Sequence, residues 1–361
     1  MSKRIVCFHL FNDFSGSPKV LHDVLSGLLD NGYEIDLITT RGGVLDNLDS
    51  PRLHRRYYRY SFSPNPIVTM LRYSMAQFMT FLMALRYAFR KDTLFYINTI
   101  LPLGPAIAGR ITGKRVIYHY HENAFVKGAF YRTLAKAMQR LAHRIICVSS
   151  YQGSYLSRKN DVEIIPNALS PDFISRLCPD PTRSFDRHTV LMLSSLKTYK
   201  GTHIFIRLAS LMPQFRFVLV INDTSEAITA WIESKNIKIP DNITIHPRSS
   251  DVARFYNQAS LVVNLSNPDL FIETFGLTAL EAMSCALPVI VPVKGGIAEM
   301  ITDNVNGFKI DCKDTQQLSK TISALLSDRE NYERIANNAL TYSCSYSRDA
   351  MIGRICNVLE K

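Results

Sequence analysis

The chain has 361 residues, 47% hydrophobic and 20% charged, which excludes a disordered polar chain and exceeds one ordinary core, so two domains are expected. The net charge of +11 is uneven: residues 1–175 carry 22 Lys+Arg against 12 Asp+Glu, and the remainder carries 20 against 19. A basic first half points to an anionic partner there, whether nucleic acid, an anionic membrane surface or an acidic substrate. None of the seven cysteines forms a CxxC pair, which argues against zinc and for reduced, buried thiols in a cytoplasmic protein.

The start, "MSKRIVCFHLF", is basic but has no secretory cleavage site and reads as a first buried strand. "SPKVLHDVLSGLLDNG" follows as a helix, with Val20, Leu21, Val24, Leu25 and Leu28 on one face and Asn31-Gly32 as its stop. "YEIDLIT", "LFYINT", "RVIYHYH", "RIICVSS" and "VEIIPN" read as further strands of a parallel, doubly wound sheet. Three prolines and mixed charge in "SPDFISRLCPDPTRSFDR" mark a linker. The alternation then restarts. "HTVLMLSSL", "FRFVLVIN", "NITIHP", "LVVNLS" and "LPVIVPV" are expected strands, and "GTHIFIRLASLM", "ETFGLTALEAMSCA" and "TQQLSKTISALLSD" expected helices. Two such domains in tandem, facing across a cleft, bind ligands at the carboxyl ends of their strands.

Residues 66–89 are a long apolar segment. Its longest run without a charge, Tyr73 to Leu85, is too short to cross a bilayer. Arg55, Arg56, Arg59, Arg72, Arg86, Arg90 and Lys91 surround it. Two readings stand and can coexist: a helix packed on the first sheet, and a helix whose basic, aromatic margin rests on an anionic membrane.

Five stretches carry candidate chemistry. In "FNDFSGSPKVL", Gly16 and Ser17 precede the first helix, where small residues admit an anion to free N–H groups or simply make a turn. In "YHYHEN", His119 and His121 leave a strand end as a hydrogen-bonding or a structural pair, or two ligands of a metal that lacks a recognisable third, with Glu122 as a cap for the next segment. In "SSLKTYKG", Lys197 and Lys200 precede a helix, as phosphate-binding cations or as solvated loop lysines. In "FIETFGLTALEAMSCALP", Glu273 lies on a loop, Thr274-Phe275-Gly276 starts a helix, and Glu281 lies about two turns into it. Carboxylates so placed accept hydroxyl groups, as for ribose in nucleotide sites, or else are a dipole-stabilised helix start and a surface residue. In "VKGGIAEM", Gly295-Gly296 at a strand end fits close ligand approach or an ordinary loop, and Asn306-Gly307 turns into another strand.

Taken in order, "ETFGLTALEAMSCALPVIVPVKGGIAEMITDNVNGF", "LKTYKG", "YHYHE" and "RIICVSSYQ…VEIIPNALSPDF" resemble the retaining nucleotide-sugar glycosyltransferases of family four, which have the GT-B fold. The resemblance spans nearly the whole chain and is strongest over residues 260–310. It implies an acceptor-side Rossmann-like domain at 1–172, a donor-binding domain at 173–345, and a final helix at 346–361 packing back on the first. It implies that Lys200 contacts the donor diphosphate, Glu281 the ribose and Glu273 the sugar hydroxyls. Main-chain groups of Phe275, Gly276 and Leu277 then hold sugar and phosphates, His121 lies near the reacting centre, and Gly16 faces the phosphates. Ser194-Ser195 stands where the family often has Gly-Arg, which leaves Lys197 as the substitute cation for Ser195; Gly16-Ser17 replaces a usual double glycine, and Ala286 a glycine.

The function implied is transfer of a sugar, with retention and without metal or other cofactor, from a nucleotide-sugar to a glycan or lipid-linked acceptor. The expected setting is surface polysaccharide assembly (capsule, O-antigen or exopolysaccharide), in the cytoplasm or on the inner face of the plasma membrane. The alternative is a relative of the same fold acting as a sugar-nucleotide epimerase or non-catalytic binder. No RNP-type, helix-turn-helix or zinc signature supports a nucleic-acid partner.

Overall fold

The computed structural model describes residues 4–125, 127–157 and 161–361. The chain divides into two compact units, Met1–Ala168 with Arg348–Lys361, and Leu169–Ser347.

In the first unit, β1 (Arg4–Phe8), β2 (Glu34–Thr39), β3 (Leu53–Tyr57), β4 (Thr93–Asn98), β5 (Val116–Tyr120), β6 (Arg144–Cys147) and β7 (Val162–Ile164) form one parallel sheet in the order β3-β2-β1-β4-β5-β6-β7. In the second, β8 (Thr189–Ser194), β9 (Arg216–Ile221), β10 (Ile243–His246), β11 (Leu261–Val263), β12 (Val289–Val291) and β13 (Phe308–Lys309) form another in the order β10-β9-β8-β11-β12-β13. Both orders reverse beside the first strand of the unit. That reversal leaves a crevice at the strands' carboxyl ends, the usual ligand position in open α/β sheets. The central strands are buried and mainly apolar, as expected where helices cover both faces: β4 is buried along its whole length.

Leu53–Tyr57, "LHRRY", is a strand that periodicity missed. It lies at the sheet edge with Leu53 buried and His54 and Arg56 exposed, so basic side chains mask its period-two pattern. The Pro-rich segment expected as a linker instead holds two short helices, Pro171–Ile174 and Pro181–Asp186. Ser170 and Asp180 cap them, accepting from Phe173 N at 3.3 Å and Arg183 N at 3.0 Å. All seven cysteines are free, but Cys178 and Cys344 are exposed rather than buried.

The apolar segment forms one 20-residue helix, Pro66–Leu85, capped by Asn65 Oδ1 accepting from Ile67 N at 2.9 Å. By length and composition it is long enough to span a bilayer. One stripe, Tyr73, Ala76, Thr80 and Ala84, is buried in the unit's core. Tyr73 Oη donates to Leu101 O at 2.8 Å, and Gln77 Oε1 accepts from Gly104 N at 2.9 Å, tying it to the helix Leu103–Ile111. A second stripe faces outward: Ile67, Leu71, Met75, Phe78 and Leu82 are 71%, 66%, 61%, 59% and 47% exposed. Their three- and four-residue spacing puts them on one side of the helix. The packed reading therefore accounts for one side only.

Candidate active site

The second unit gathers the charged candidates at the carboxyl ends of β8 and β11. After β8, a 3-10 turn, Thr198–Lys200, presents Lys200. After β11, the loop to the helix Leu277–Ser284 presents Glu273. The Lys200 ammonium donates to Glu273 Oε1, and Ser266 Oγ donates to the same oxygen at 2.8 Å. Side-chain exposures are 25% for Lys200 and 15% for Glu273, so the pair is largely withdrawn from water. Burial pushes the Glu273 carboxyl up, but Lys200, Ser266 and Asn264 outweigh it and hold the group below its ordinary value. Lys200 is the mirror case: burial pulls it down, Glu273 outweighs that, and it stays protonated.

The helix starts later than its sequence suggests. Gly276 has φ +101°, a conformation that glycine alone adopts readily, so Thr274-Phe275-Gly276 is loop and the helix begins at Leu277. Glu281 is consequently the fifth helical residue, little more than one turn in, rather than two. Its Oε2 accepts from the hydroxyl of fully buried Tyr256. Main-chain groups from Phe275 to Leu277 lie where a helix leaves N–H groups without helical acceptors, which suits an anion.

The glycine pair serves the site's own backbone. Gly296 N donates to Glu273 O at 2.8 Å. A Cβ on Gly295, at φ +113°, would come 2.5 Å from that same carbonyl oxygen. Lys197 is exposed, with its ammonium 5.9 Å from the Tyr199 ring centroid. Ser195 Oγ is buried and has no hydrogen-bond partner among the described residues, while Ser195 O accepts from Thr202 Oγ1 at 3.0 Å.

The first unit gathers neutral groups at equivalent strand ends. His121 Nε2 lies 2.9 Å from Asn98 Oδ1, and the Asn98 amide nitrogen 3.1 Å from His9 Nδ1. His119, wholly buried on β5, pairs through Nδ1 with Tyr96 Oη at 2.7 Å, which makes it a core residue. The His119 and His121 rings are 4.1 Å apart. Burial pulls His9 down to about 4 and His119 to about 3. Burial also puts His121 well below its ordinary value, with His119 and His9 adding to the effect. All three rings are therefore neutral near pH 7. Glu122 does not cap the segment after it: its Oε2 accepts from Ile100 N at 3.2 Å, bracing the loop after β4. Gly16 and Ser17 open the first turn of the helix Gly16–Asp30 rather than preceding it, with Ser15 as the cap residue. Among the described residues no three His, Cys, Asp or Glu gather as a metal site.

Three supporting residues escaped the sequence reading: Asn98 beside His121, Tyr256 beside Glu281 and Ser266 beside Glu273. Asn98 and Tyr256 lie in different elements from their partners, while Ser266 shares the loop after β11 with Glu273. For Asn98 and Ser266 the signal was a polar residue ending or just after an apolar strand, in "YIN" and "VVNLS"; Tyr256, in the helix Ala253–Tyr256, carried none.

Comparison with known proteins bears on family and fold. The family described as Glycosyltransferase Family 4 matches residues 14–173, and that described as Glycosyl transferases group 1 matches residues 180–341. An uncharacterized glycosyltransferase of Haemophilus influenzae is 20% identical over 93% of this chain and 94% of its own length. A D-inositol 3-phosphate glycosyltransferase of Mycolicibacterium smegmatis is 27% identical, but over 46% of this chain and only 39% of its own length. Among solved structures, Anabaena HepE in complex with UDP and glucose superimposes with TM-score 0.78, 20% identity and full coverage of both chains. The sucrose-phosphate synthase of Thermosynechococcus elongatus superimposes with TM-score 0.79 and 18% identity over 99% of this chain and 98% of its own. With a glycosyltransferase family matched on each half and the GT-B fold running through both units, this chain is a glycosyltransferase.

Proposed function

We propose that the chain is a retaining glycosyltransferase that takes a sugar from a nucleotide-sugar bound on the second unit and passes it to a lipid-linked glycan. The observation that carries this reading is the pairing of Lys200 with Glu273 at the ends of β8 and β11, with Glu281 on the helix that follows. One cation and two carboxylates around a helix start suit a ligand with one diphosphate and two sets of hydroxyls.

In this reading Lys200 and the N–H groups near Gly276 and Leu277 hold the diphosphate, with Ser195 and Lys197 on the same loop. Glu281, fixed by Tyr256, accepts ribose hydroxyls. Glu273 and the Phe275 main chain orient the sugar, and Gly16 borders the phosphates. His121, neutral and held by Asn98, serves as a hydrogen-bonding group for the reacting sugar. The bond from the anomeric carbon to the phosphate oxygen breaks as the bond to the acceptor oxygen forms on the same face. The acceptor's proton passes to an oxygen of the leaving diphosphate. Lys200 and the backbone amides stabilise the charge growing there, with no metal required. Glu273 acts as an orienting group rather than a nucleophile, because Oε1 is already engaged by Lys200 and Ser266.

The reading of acceptor and setting rests on the helix Pro66–Leu85. Its exposed stripe from Ile67 to Leu82, with Arg59, Arg72, Arg86, Arg90 and Lys91 nearby, fits the interface of an anionic bilayer. On this reading the enzyme works at the inner membrane face in assembly of a surface polysaccharide: capsule, O-antigen or exopolysaccharide.

The test supplies UDP-, GDP- and ADP-sugars with a polyprenyl-diphosphate sugar in anionic or neutral vesicles, and follows nucleotide release and product anomer. Acceptor-dependent release, a retained anomer and faster turnover on anionic vesicles are expected. An inverted anomer contradicts retention, and equal rates on neutral vesicles contradict the membrane role. Binding of a nucleotide-sugar without release or transfer makes the chain a non-catalytic relative.

A further inference from the structure

Lys200 and Glu273 are the groups assigned above to diphosphate and sugar, and here they engage each other. Both are held in place from behind. Tyr199 stacks on Phe271 with ring centroids 4.5 Å apart, and the Lys200 ammonium lies 5.7 Å from each centroid. Tyr199 O accepts from Asn267 N at 2.7 Å, which fastens the lysine turn to the glutamate loop. Ser266 Oγ and Gly296 N fix Glu273 at its carboxylate and at its carbonyl. The contact is thus built into two interlocked loops and is not a pair of long side chains meeting at random on the surface.

A cation already paired with a carboxylate attracts an incoming anion less strongly, and the effect grows as water is withdrawn. We propose that Glu273 is the resident counter-ion of Lys200 and biases the site against a bare nucleoside diphosphate. A nucleotide carrying a sugar brings hydroxyls for the displaced carboxylate to accept from. A nucleotide without one leaves that carboxylate unpaired beside the phosphates. Once the sugar has left, the carboxylate competes for Lys200 again and speeds departure of the product nucleotide. This proposal rests on the donor reading above and deepens it.

It gives the two residues opposite signs, which a shared donor-binding role alone does not. The test titrates UDP, GDP and ADP, with inorganic pyrophosphate as a probe free of base, into the full-length protein by calorimetry. Glu273→Gln is expected to bind the preferred diphosphate about threefold to tenfold more tightly while sugar transfer falls. Lys200→Gln is expected to bind it about tenfold less tightly, and the double variant no more tightly than Lys200→Gln alone. Glu273→Ala serves where the glutamine variant does not fold, as judged by circular dichroism. If Glu273→Gln binds diphosphate equally or less tightly while Lys200→Gln weakens it, the counter-ion proposal is overturned and the donor site stands. If neither substitution changes diphosphate affinity, the donor site falls and the proposal with it.

Discussion

The two units share one strand wiring and differ in what they place at the strand ends. In the first, the polar groups are His9, Asn98 and His121, with His119 and Tyr96 behind them: neutral, hydrogen-bonded and drawn into the core. In the second they are Lys200 and Glu273, joined as an ion pair, and Glu281, which accepts from the Tyr256 hydroxyl. Burial explains the first set, since desolvation disfavours the imidazolium and keeps the rings uncharged. Mutual neutralisation explains the Lys200–Glu273 pair, where each partner outweighs the other's burial cost. A common scaffold can therefore present uncharged hydrogen-bonding groups or an ion pair, according to the side chains just past the strands.

The largest expected consequence is in acid. His9 titrates at about 4 in the folded chain, against about 6.5 for an unperturbed histidine. The unfolded state therefore takes up the proton first. The stability that His9 contributes is complete above pH 6.5 and is lost as the pH falls toward 4. The loss from His9 alone is on the order of 3 kcal/mol, and His119 and His121 shift in the same direction. Glu273, held below its ordinary value, surrenders its stabilisation only below the usual carboxylate range. The first unit should accordingly unfold before the second. Trp231, the chain's one tryptophan, packs against the second unit's core and reports on that unit by itself. Far-ultraviolet circular dichroism is expected to change at higher pH than Trp231 fluorescence; coincident transitions would contradict the contrast between the units.

A smaller effect probes how the charged site is held. Tyr256→Phe removes the buried hydroxyl that donates to Glu281 and leaves the ring packing in place. Nucleotide-sugar affinity is expected to fall about threefold to tenfold, as for loss of one ordinary hydrogen bond. Unchanged affinity would show that Glu281 needs no support from Tyr256 or does not bind the donor.

Much of this is legible in the sequence, for definite reasons. Long apolar strands such as "RFVLVI" and amphipathic helices such as Gly16–Asp30 carry their period in neighbouring residues. Lys200, Glu273 and Glu281 stand out as charges between apolar runs, and the fold brings the first two into contact. Leu53–Tyr57 is hidden because an edge strand tolerates the basic side chains that blur its alternation. The helix start at Leu277 is misjudged because its position depends on the backbone of Gly276, which "ETFGLTALEAM" does not display. Asn98 and Tyr256 cannot be assigned to His121 and Glu281 from sequence because those pairings are 23 and 25 residues apart. The exposed stripe on Pro66–Leu85 requires knowing which side the core has taken.

The central claim, that a nucleotide-sugar binds on the second unit, is tested most directly by amide hydrogen exchange with and without saturating nucleotide. Protection is expected to concentrate in residues 195–204 and 273–281, the Lys200 turn and the Glu273–Glu281 segment. Protection confined to the first unit, or absent from both segments at saturation, would contradict it.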